Sequence, residues 1–379
     1  RPEREAQVLK RVAARNRGPL PKASIKRLYV EIMSACRALE DGIAVAYLGP
    51  QGTFSEEAAI RQFGGQARLT PCTSIDDVFH EVESGAANYG VVPIENSTEG
   101  SISRTHDLLF ATSLRICGEV LLPVHQCLMS KSGKSAGVKK ILSHSQSLAQ
   151  CHRWLNQHHD KAKQIPVVSN AEAARLASKD AAAAAIASKT AAAVYGLKII
   201  AANIEDEPQN TTRFVVISPD DAGPSGQDKT SLVMSTRNAP GAIHSLLTPL
   251  AEHGVSMTRL ESRPARTGRW EYLFYVDIEG HQQDANVAQA LRDRARLGRR
   301  DDDLVARQHG RLAEFLERAL RAGVEATQRG DRVAVELDAQ RAPIRGPAVG
   351  RGQRVPHPRR DVLDTPPNFS RYDATRSEE

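Results

Sequence analysis

From residue 44 to residue 218 the chain alternates short apolar segments with segments of helical periodicity. Helices are predicted from Glu56 onward, over residues 74–84, and around Gln150 and Cys151. This alternation is typical of an α/β fold with a largely parallel sheet. One extended segment, residues 114–129, is long enough to cross between two lobes. Strands are predicted at residues 45–48, 67–71, 89–94, 114–129, 139–142, 166–169, 181–187, 197–204 and 209–218.

Polar residues gather where several of these strands begin or end. Glu95, Asn96 and Ser97 follow the strand at 89–94. Thr211 and Thr212 lead into the apolar run at 214–217. Ligands of open α/β sheets bind in crevices at strand ends, which makes these segments candidates for a site. Ordinary structural roles also fit, since Ser is a common helix cap and a Thr-Thr pair favours a strand.

A glycine-rich turn at residues 49–55 joins the first strand to a helix. Backbone N–H groups and the positive end of a helix dipole make such turns generic anion sites. The turn lacks the spacing of a nucleotide-binding P-loop, and no lysine follows it. The sequence therefore argues against a nucleotide-phosphate site here.

Further modules flank this α/β region. Residues 1–41 read as two helices, which either pack on a partner or lack a preceding helix. Residues 220–229 read as a linker, and a ferredoxin-like β-α-β-β-α module short of its last strand follows it. Its predicted elements are strand 231–236, helix 241–254, strands 257–260 and 270–278, and helix 285–294.

The tail at residues 298–379 is rich in arginine, and no lysine occurs after Lys229. We expect it to be largely disordered from residue 343. The missing last strand of the module raises the hypothesis that the tail is an out-of-frame reading of GC-rich sequence. Its acidic residues and the lack of interleaved aromatic residues argue against nucleic-acid binding.

Composition excludes some protein classes. There is no run of 18 apolar residues, so no membrane span is predicted. The five cysteines form no Cys-x-x-Cys pair, which favours reduced thiols in a cytoplasmic protein. No cluster of His, Cys or Asp has the spacing of metal ligands, and no cofactor is predicted.

Four motifs in one order carry a family resemblance. They lie at residues 48–55, 93–97, 143–146 and 210–214. Residues 43–220 thereby resemble prephenate dehydratases, which implies a two-lobed fold like that of periplasmic binding proteins. Residues 228–297 resemble an ACT regulatory domain, and residues 1–41 the last two helices of an all-α chorismate mutase. The whole is similar to the bifunctional enzymes of bacterial phenylalanine synthesis.

The resemblance implies that prephenate loses carbon dioxide and its ring hydroxyl to give phenylpyruvate. Thr212 matches the essential threonine of the family. The resemblance also assigns active-site positions to Glu95, Asn96, Ser143 and Gln150. The expected role of Glu95 is to orient Asn96 or a backbone donor, because a bare carboxylate would repel the substrate dianion. Ser97, Thr211 and Arg213 are predicted to bind substrate, with no firm chemical role for Arg213.

The resemblance also assigns residues outside the dehydratase part. In the mutase helices Arg4, Glu5 and Glu40 match site positions, and Cys36 replaces a Ser of some relatives. Mutase activity is expected to be impaired, because the family takes several cations from a helix not seen in this sequence. The ACT motifs imply that phenylalanine binds where two ACT domains meet, in a homodimer or homotetramer. These motifs comprise Gly241, Ala242 and Ile243, then Glu261, Ser262, Arg263 and Pro264.

One alternative of a different class stays open. A two-lobed α/β unit with a crossing strand also describes solute-binding proteins. A non-catalytic amino-acid sensor would have no need of the Thr-Arg-Phe motif at residues 212–214.

Overall fold

The computed structural model describes residues 2–39, 42–236, 239–264 and 272–301. Glu40 and nearly all of the predicted tail lie outside these residues. In the part of the chain that the structure describes, no helix is long and apolar enough to cross a membrane.

Two N-terminal helices pack on the α/β domain that follows them. They are α1 (Pro2–Arg15) and α2 (Lys22–Ala38). Arg37 of α2 pairs with Glu5 of α1 and donates a 2.9 Å hydrogen bond to the carbonyl of Phe63. Ser34 is buried, and a Cβ on Gly64 would lie 2.5 Å from the Ser34 Cβ, so this contact depends on a glycine. The structure shows both helices packed on the chain's own next domain, an arrangement that neither expectation named.

Lobe 1 is built on a mixed sheet with the strand order β2-β1-β3-β11-β5, and β4 pairs with β3. Its central strands are apolar and buried on both faces, because helices cover the sheet. Its elements are β1 (Ala44–Leu48), α3 (Phe54–Phe63), β2 (Arg68–Cys72), α4 (Ile75–Glu83), β3 (Tyr89–Asn96), β4 (Gly100–Ser101), α5 (Ser103–Ala111) and β5 (Arg115–Pro123), joined later by β11 (Thr211–Ser218).

Lobe 2 is a five-stranded mixed sheet in the order β10-β6-β9-β7-β8. The alanine-rich strand at its centre is fully buried, and the small side chains let helices approach it closely. Its elements are β6 (Cys127–Ser130), β7 (Lys140–Ser143), α6 (Ser145–Gln150), α7 (His152–His158), β8 (Lys163–Pro166), α8 (Asn170–Ala177), β9 (Ala183–Ala187), α9 (Lys189–Val194) and β10 (Lys198–Ala202).

The chain crosses from lobe 1 to lobe 2 between β5 and β6 and returns between β10 and β11. The predicted crossing at residues 114–129 is thus confirmed as two strands in two sheets. The expectation of largely parallel sheets is wrong. The returning strand β11 runs antiparallel to both β3 and β5, and β6 runs antiparallel to both of its neighbours. Crossing strands enter each sheet from the far lobe, so they oppose the βαβ strands already there.

One predicted strand is displaced. Residues 166–169 were expected to form it, but β8 ends at Pro166. Ser169 instead caps α8, where its side chain accepts a hydrogen bond from the N–H of Glu172. A serine before a helical run is a strong cap signal, and it prevails here over the strand propensity of the two valines.

The C-terminal module has the order β12-β14-β13, with all pairs antiparallel. The predicted β-α-β-β-α order is confirmed. Strand β13 is longer than predicted and includes residues 261–264, because the ladder to β14 continues to the Pro264–Tyr272 pair. The helix α11 also runs past its predicted end. The elements are β12 (Lys229–Thr236), α10 (Ala242–Glu252), β13 (Met257–Pro264), β14 (Tyr272–Glu279) and α11 (Ala285–Asp301).

The glycine-rich turn between β1 and α3 joins the two lobes. Its anion position is filled by the chain's own Glu56, which accepts a 2.5 Å hydrogen bond from the N–H of Gly52. Burial and the neighbouring Glu56 raise the pKa of Tyr47, whose hydroxyl also contacts that carboxylate. From lobe 2, Ser188 donates a 3.0 Å hydrogen bond to the carbonyl of Gly52.

Replacing Gly52 by alanine is expected to lower the free energy of unfolding by about 2–4 kcal/mol. Gly52 has φ +87°, and a Cβ there would lie 3.0 Å from the Cα of Ala191 in lobe 2. Urea unfolding followed by circular dichroism measures the change.

Gly85→Ala is the matched control, because Gly85 also has a positive φ of +76° but open space around it. It should show only the backbone strain, about 1–2 kcal/mol. Equal losses in the two variants would mean that the lobe contact at Gly52 adds nothing to stability.

Candidate functional site

Thr212 and Asn96 face each other across neighbouring strands. They are paired in the antiparallel register of β11 and β3. Just before them the register shifts, because Arg213 pairs with Glu95 whereas Phe214 pairs with Pro93, leaving Ile94 as an extra residue. Pro93 has no N–H to give to the ladder, and a bulge next to a proline in a central strand is the usual solution. The bulge sets the direction of the last two side chains of β3.

The Asn96 amide is fully engaged. Its Oδ1 accepts hydrogen bonds from the backbone N–H groups of Thr98 and Glu99, at 3.0 and 3.1 Å. These donors fix the side chain so that its Nδ2 donates to Thr212 Oγ1 and Asn210 Oδ1, both at 2.8 Å. Thr212 is 9% exposed, and its hydroxyl oxygen is an acceptor in this arrangement. The hydroxyl proton is therefore available to a molecule in front of the strands.

Asn210 extends this chain of amides to lobe 2. It is 4% exposed, and its Nδ2 donates a 3.2 Å hydrogen bond to Gln150 Oε1. Gln150 Nε2 lies 3.5 Å from Glu99. Asn210 belongs to the motif at residues 210–214, but no role was predicted for it. The signal was its place directly before two predicted site residues.

Ser143 lies deeper, within lobe 2. It is fully buried, with its Oγ 2.8 Å from the Ile186 carbonyl and 2.9 Å from Asn170 Oδ1. Asn170 in turn donates to Ser147, which also accepts from Gln126. This network fixes the start of α6, the helix that carries Gln150. The structure thus places Ser143 behind the site surface.

An open cleft of about 400 Å³ lies beside Gln150, within the size range of small-molecule sites. Its one cationic side chain among the described lining residues is Arg153, which bonds to the Asp206 carbonyl at 2.9 Å and to Glu207 at 3.2 Å. The lining comprises Thr98, Ala149, Gln150, Arg153, Asp206 and Glu207. The cleft therefore has contributions from both lobes.

Two other predicted residues pair with each other at the edge of this site. The N–H of Thr211 donates a 2.9 Å hydrogen bond to Ser97 Oγ, and the N–H of Ser97 donates to the Thr211 carbonyl at 2.9 Å. Both side chains are near solvent.

Glu95 and Arg213 lie on the far side of the same two strands. Side chains alternate along a strand, so the neighbours of Asn96 and Thr212 point to the opposite face. Arg213 contacts Glu119, with Nε 2.6 Å from Oε2, and Asp277 of the C-terminal module. Glu95 lies 3.2 Å from Arg259 of that module. Thr212, Asn96, Asn210 and Gln150 form what we call the Thr212 cluster, and the structure does not bring Glu95 or Arg213 to it.

The predicted residues of the N-terminal helices are dispersed. Arg4 and Cys36 are exposed, and Glu5 pairs with Arg37. The two motifs of the C-terminal module also lie apart in the fold. Gly241 caps α10 with φ +77°, and Ala242 and Ile243 form its first turn. Residues 261–264 lie on β13, where Arg263 contacts Asp107 of α5 at 3.2 Å.

Within the described residues, no three His, Cys, Asp or Glu side chains are grouped so as to hold a metal. The chemistry of the Thr212 cluster is that of hydrogen-bonding amides and one hydroxyl. Such groups can position a polar substrate and donate a proton.

Three family models match the chain along its length. They are prephenate dehydratase at residues 45–222, the ACT domain at residues 230–296 and chorismate mutase type II at residues 1–41. The prephenate dehydratase match includes every member of the Thr212 cluster.

Curated and solved relatives agree with these matches. A bifunctional chorismate mutase/prephenate dehydratase of Neisseria gonorrhoeae is 53% identical over 79% of this chain and 83% of its own length. The prephenate dehydratase of Arthrobacter aurescens, solved in complex with L-Phe, is 34% identical with a TM-score of 0.62, over 67% of this chain and 86% of its own. GqqA, described as a quorum quenching acylase, is 30% identical with a TM-score of 0.61, over 66% of this chain and 92% of its own. The two-lobed fold and the ACT module expected from the sequence are thereby confirmed, and the chain belongs to the bifunctional chorismate mutase/prephenate dehydratase family.

Proposed function

We propose that the chain converts prephenate to phenylpyruvate, with Thr212 as the proton donor to the leaving hydroxyl. The observation that carries this role is the hydrogen bond from Asn96 to Thr212 Oγ1. Because the oxygen accepts from an amide, the hydroxyl proton points to the substrate side.

The bond changes balance without an added reagent. The bond from the ring carbon to its carboxylate breaks and releases carbon dioxide. Its electron pair moves through the ring, the carbon–oxygen bond opposite breaks, and the departing hydroxide takes a proton to leave as water. The ring becomes aromatic, which supplies the driving force. Thr212 regains its proton from solvent.

Neutral donors suit this substrate. Gln150 and the Thr212 hydroxyl can hydrogen-bond the dianion without neutralising it, whereas a tight ion pair would stabilise the carboxylate that has to be lost. Arg153 of the cleft lining is already paired with Glu207 and lies 3.9 Å from the Asp206 carboxylate, so the described lining offers the dianion hydrogen bonds and not an unpaired cation.

An ultraviolet assay of phenylpyruvate formation from prephenate tests the proposal. We expect turnover with no added metal or cofactor. Prephenate or amino-acid binding without turnover would contradict it and favour the sensor. We expect no acylase activity, so an acylase assay serves as the negative control. The hydroxyls of Ser143 and Ser147 hydrogen-bond to side-chain amides and a backbone carbonyl, and not to a histidine ring that could activate them.

We infer that L-phenylalanine is the effector and that the chain assembles as a homodimer or homotetramer through its ACT domains. Gly241 leaves the N-terminus of α10 open, which favours an amino-acid carboxylate. Ile243, Met257 and Leu260 are 40–47% exposed on this module, as expected of a face that meets another copy. Inhibition by phenylalanine with no associated species by light scattering would contradict the shared site.

A further inference from the structure

The ends of β3 and β11 form one patch of sheet. Thr212 and Asn96 lie on one face of this patch, and the ACT domain packs against the other face. Thr212 and Asn96 point to the face that carries Asn210 and Gln150, while their neighbours Arg213 and Glu95 point to the ACT domain. A displacement of either strand end moves both sets of side chains together. Groups on the ACT side that hold this patch therefore also hold Thr212 and Asn96.

Two arginines and the four carboxylates that they contact form what we call the interdomain ion cluster, and Lys229 also bonds to Glu119 at 2.9 Å. Arg213 bonds to Glu119 at 2.6 Å and to Asp277, and lies 3.9 Å from Glu95. Arg259 Nε lies 3.2 Å from Glu95 and its Nη2 contacts Glu261. Glu95 thus bridges the two arginines. The members are Glu95, Glu119 and Arg213 of the dehydratase domain and Arg259, Glu261 and Asp277 of the ACT domain.

The two arginines and Asp277 are largely buried, whereas Glu95, Glu119 and Glu261 are 36%, 26% and 22% exposed. The side chains of Arg213 and Arg259 are each 12% exposed, and that of Asp277 is 7% exposed. Burial alone would raise the pKa of Asp277, but a hydrogen bond from Ser231 and the charge of Arg213 outweigh it and lower the pKa. Removing one partner of such a group leaves a buried charge unpaired, so each member strongly constrains the others.

Arg259 is the member tied to the ACT motif. It lies on β13 two residues before Glu261, and its Nη2 contacts both Glu261 and Ser101 of β4. Its Nη1 donates to His106 Nε2 at 3.0 Å, while His106 Nδ1 donates to the Ile102 carbonyl. Alternate residues of a strand share a face, so Arg259, Glu261 and Arg263 all meet lobe 1. The Arg259 guanidinium therefore connects Glu261, the first residue of the motif at residues 261–264, to Glu95.

We propose that Arg213 and Glu95 are positioning residues for Thr212 and Asn96, and that Arg259 transmits the state of the ACT domain to them. A shift of β13 displaces Arg259 and, through their ion pair, also Glu95. The bulge at Ile94 allows Glu95 and Asn96, the last two residues of β3, to move while the rest of the strand stays in place. Asn96 then no longer holds the Thr212 hydroxyl. This inference rests on the proposed function, since it concerns regulation of that same site.

Arg259→Gln tests the transmitting role. Prephenate turnover is measured against phenylalanine concentration, and phenylalanine binding is measured directly by calorimetry on the full chain. We expect binding to persist while the half-inhibiting concentration rises at least about fivefold, within the range typical of allosteric coupling. An unaltered half-inhibiting concentration would overturn the proposal, and so would loss of phenylalanine binding, because Arg259 would then belong to the effector site.

Glu95→Gln is the second variant and is isosteric, so it keeps the shape of the cluster if Arg259→Gln fails to fold. It should lower kcat while KM stays within about twofold, and weaken the response to phenylalanine. Arg213→Lys should retain more of kcat than Arg213→Gln, because lysine keeps the positive charge although it cannot make the bidentate hydrogen bonds of a guanidinium. Wild-type kcat and wild-type inhibition in Glu95→Gln would overturn the positioning role.

Arg175→Gln is the matched control. Arg175 pairs with Glu172 on the same helix, α8 of lobe 2, and its side chain is 42% exposed. This variant should keep kcat and inhibition. Absence of turnover in the unmodified chain would refute the proposed function itself, whereas normal turnover with unaltered inhibition in the cluster variants refutes only this inference.

Discussion

Replacing Thr212 by alanine is expected to lower kcat by about 10²–10⁴-fold, the range of general-acid assistance. The alanine cannot donate a proton to the departing hydroxide, and Asn96 Nδ2 loses its 2.8 Å acceptor. KM should change little, because the hydroxyl acts mainly when charge develops on the leaving oxygen. The measurement is steady-state phenylpyruvate formation, with circular dichroism to confirm folding.

Two variants accompany Thr212→Ala. Thr212→Ser keeps a hydroxyl and should retain most of kcat. Thr211→Ala removes a hydroxyl from the adjacent residue, whose Oγ1 donates to the Gln209 carbonyl, and should leave kcat within a few-fold of wild type. Near-normal kcat in Thr212→Ala would remove Thr212 from the chemical step, and an equal loss in Thr211→Ala would point to strand disruption instead.

The positions of Thr212 and Asn96 at strand ends were predictable, because local sequence patterns mark both. A polar entry into an apolar strand places Thr212 at a strand end, and the segment after β3 places Asn96 at another. Which strands become neighbours depends on the crossing between lobes, so only the structure shows that these two ends are paired in register. For the same reason the antiparallel return of β11 was missed.

Strand alternation places Thr212 and Arg213 on opposite faces, yet both were predicted to act on the substrate. What Arg213 meets was not predictable, because its partner Asp277 is 64 residues away and belongs to another domain. The same holds for Glu95, predicted to act near Asn96 but found against Arg259. A shared motif thus indicates that its residues contribute to one function, but it does not show to which face of the sheet each side chain points.

Replacing Asn96 by aspartate is expected to lower kcat about 10²-fold or more, with the fold retained. The substitution is isosteric, and one carboxylate oxygen still accepts from the N–H groups of Thr98 and Glu99. The other oxygen replaces the donor Nδ2, so the polarity of the bond to Thr212 reverses. Thr212 then donates its proton to the carboxylate and has none for the leaving group.

The Asn96→Asp variant therefore tests the orientation of the Thr212 proton while the hydroxyl itself remains present. A carboxylate facing Asn210 Oδ1 would also disturb the link to Gln150. Asn210→Ser is the control, because it removes the bonds of the Asn210 side chain to Asn96 and Gln150 but keeps the Asn96 donor to Thr212. We expect Asn210→Ser to raise KM more than it lowers kcat, and the double variant Asn96→Asp with Thr212→Ala to be no slower than Asn96→Asp alone. If the two losses multiply in the double variant, Asn96 does not act through Thr212, and the amide contacts the substrate directly.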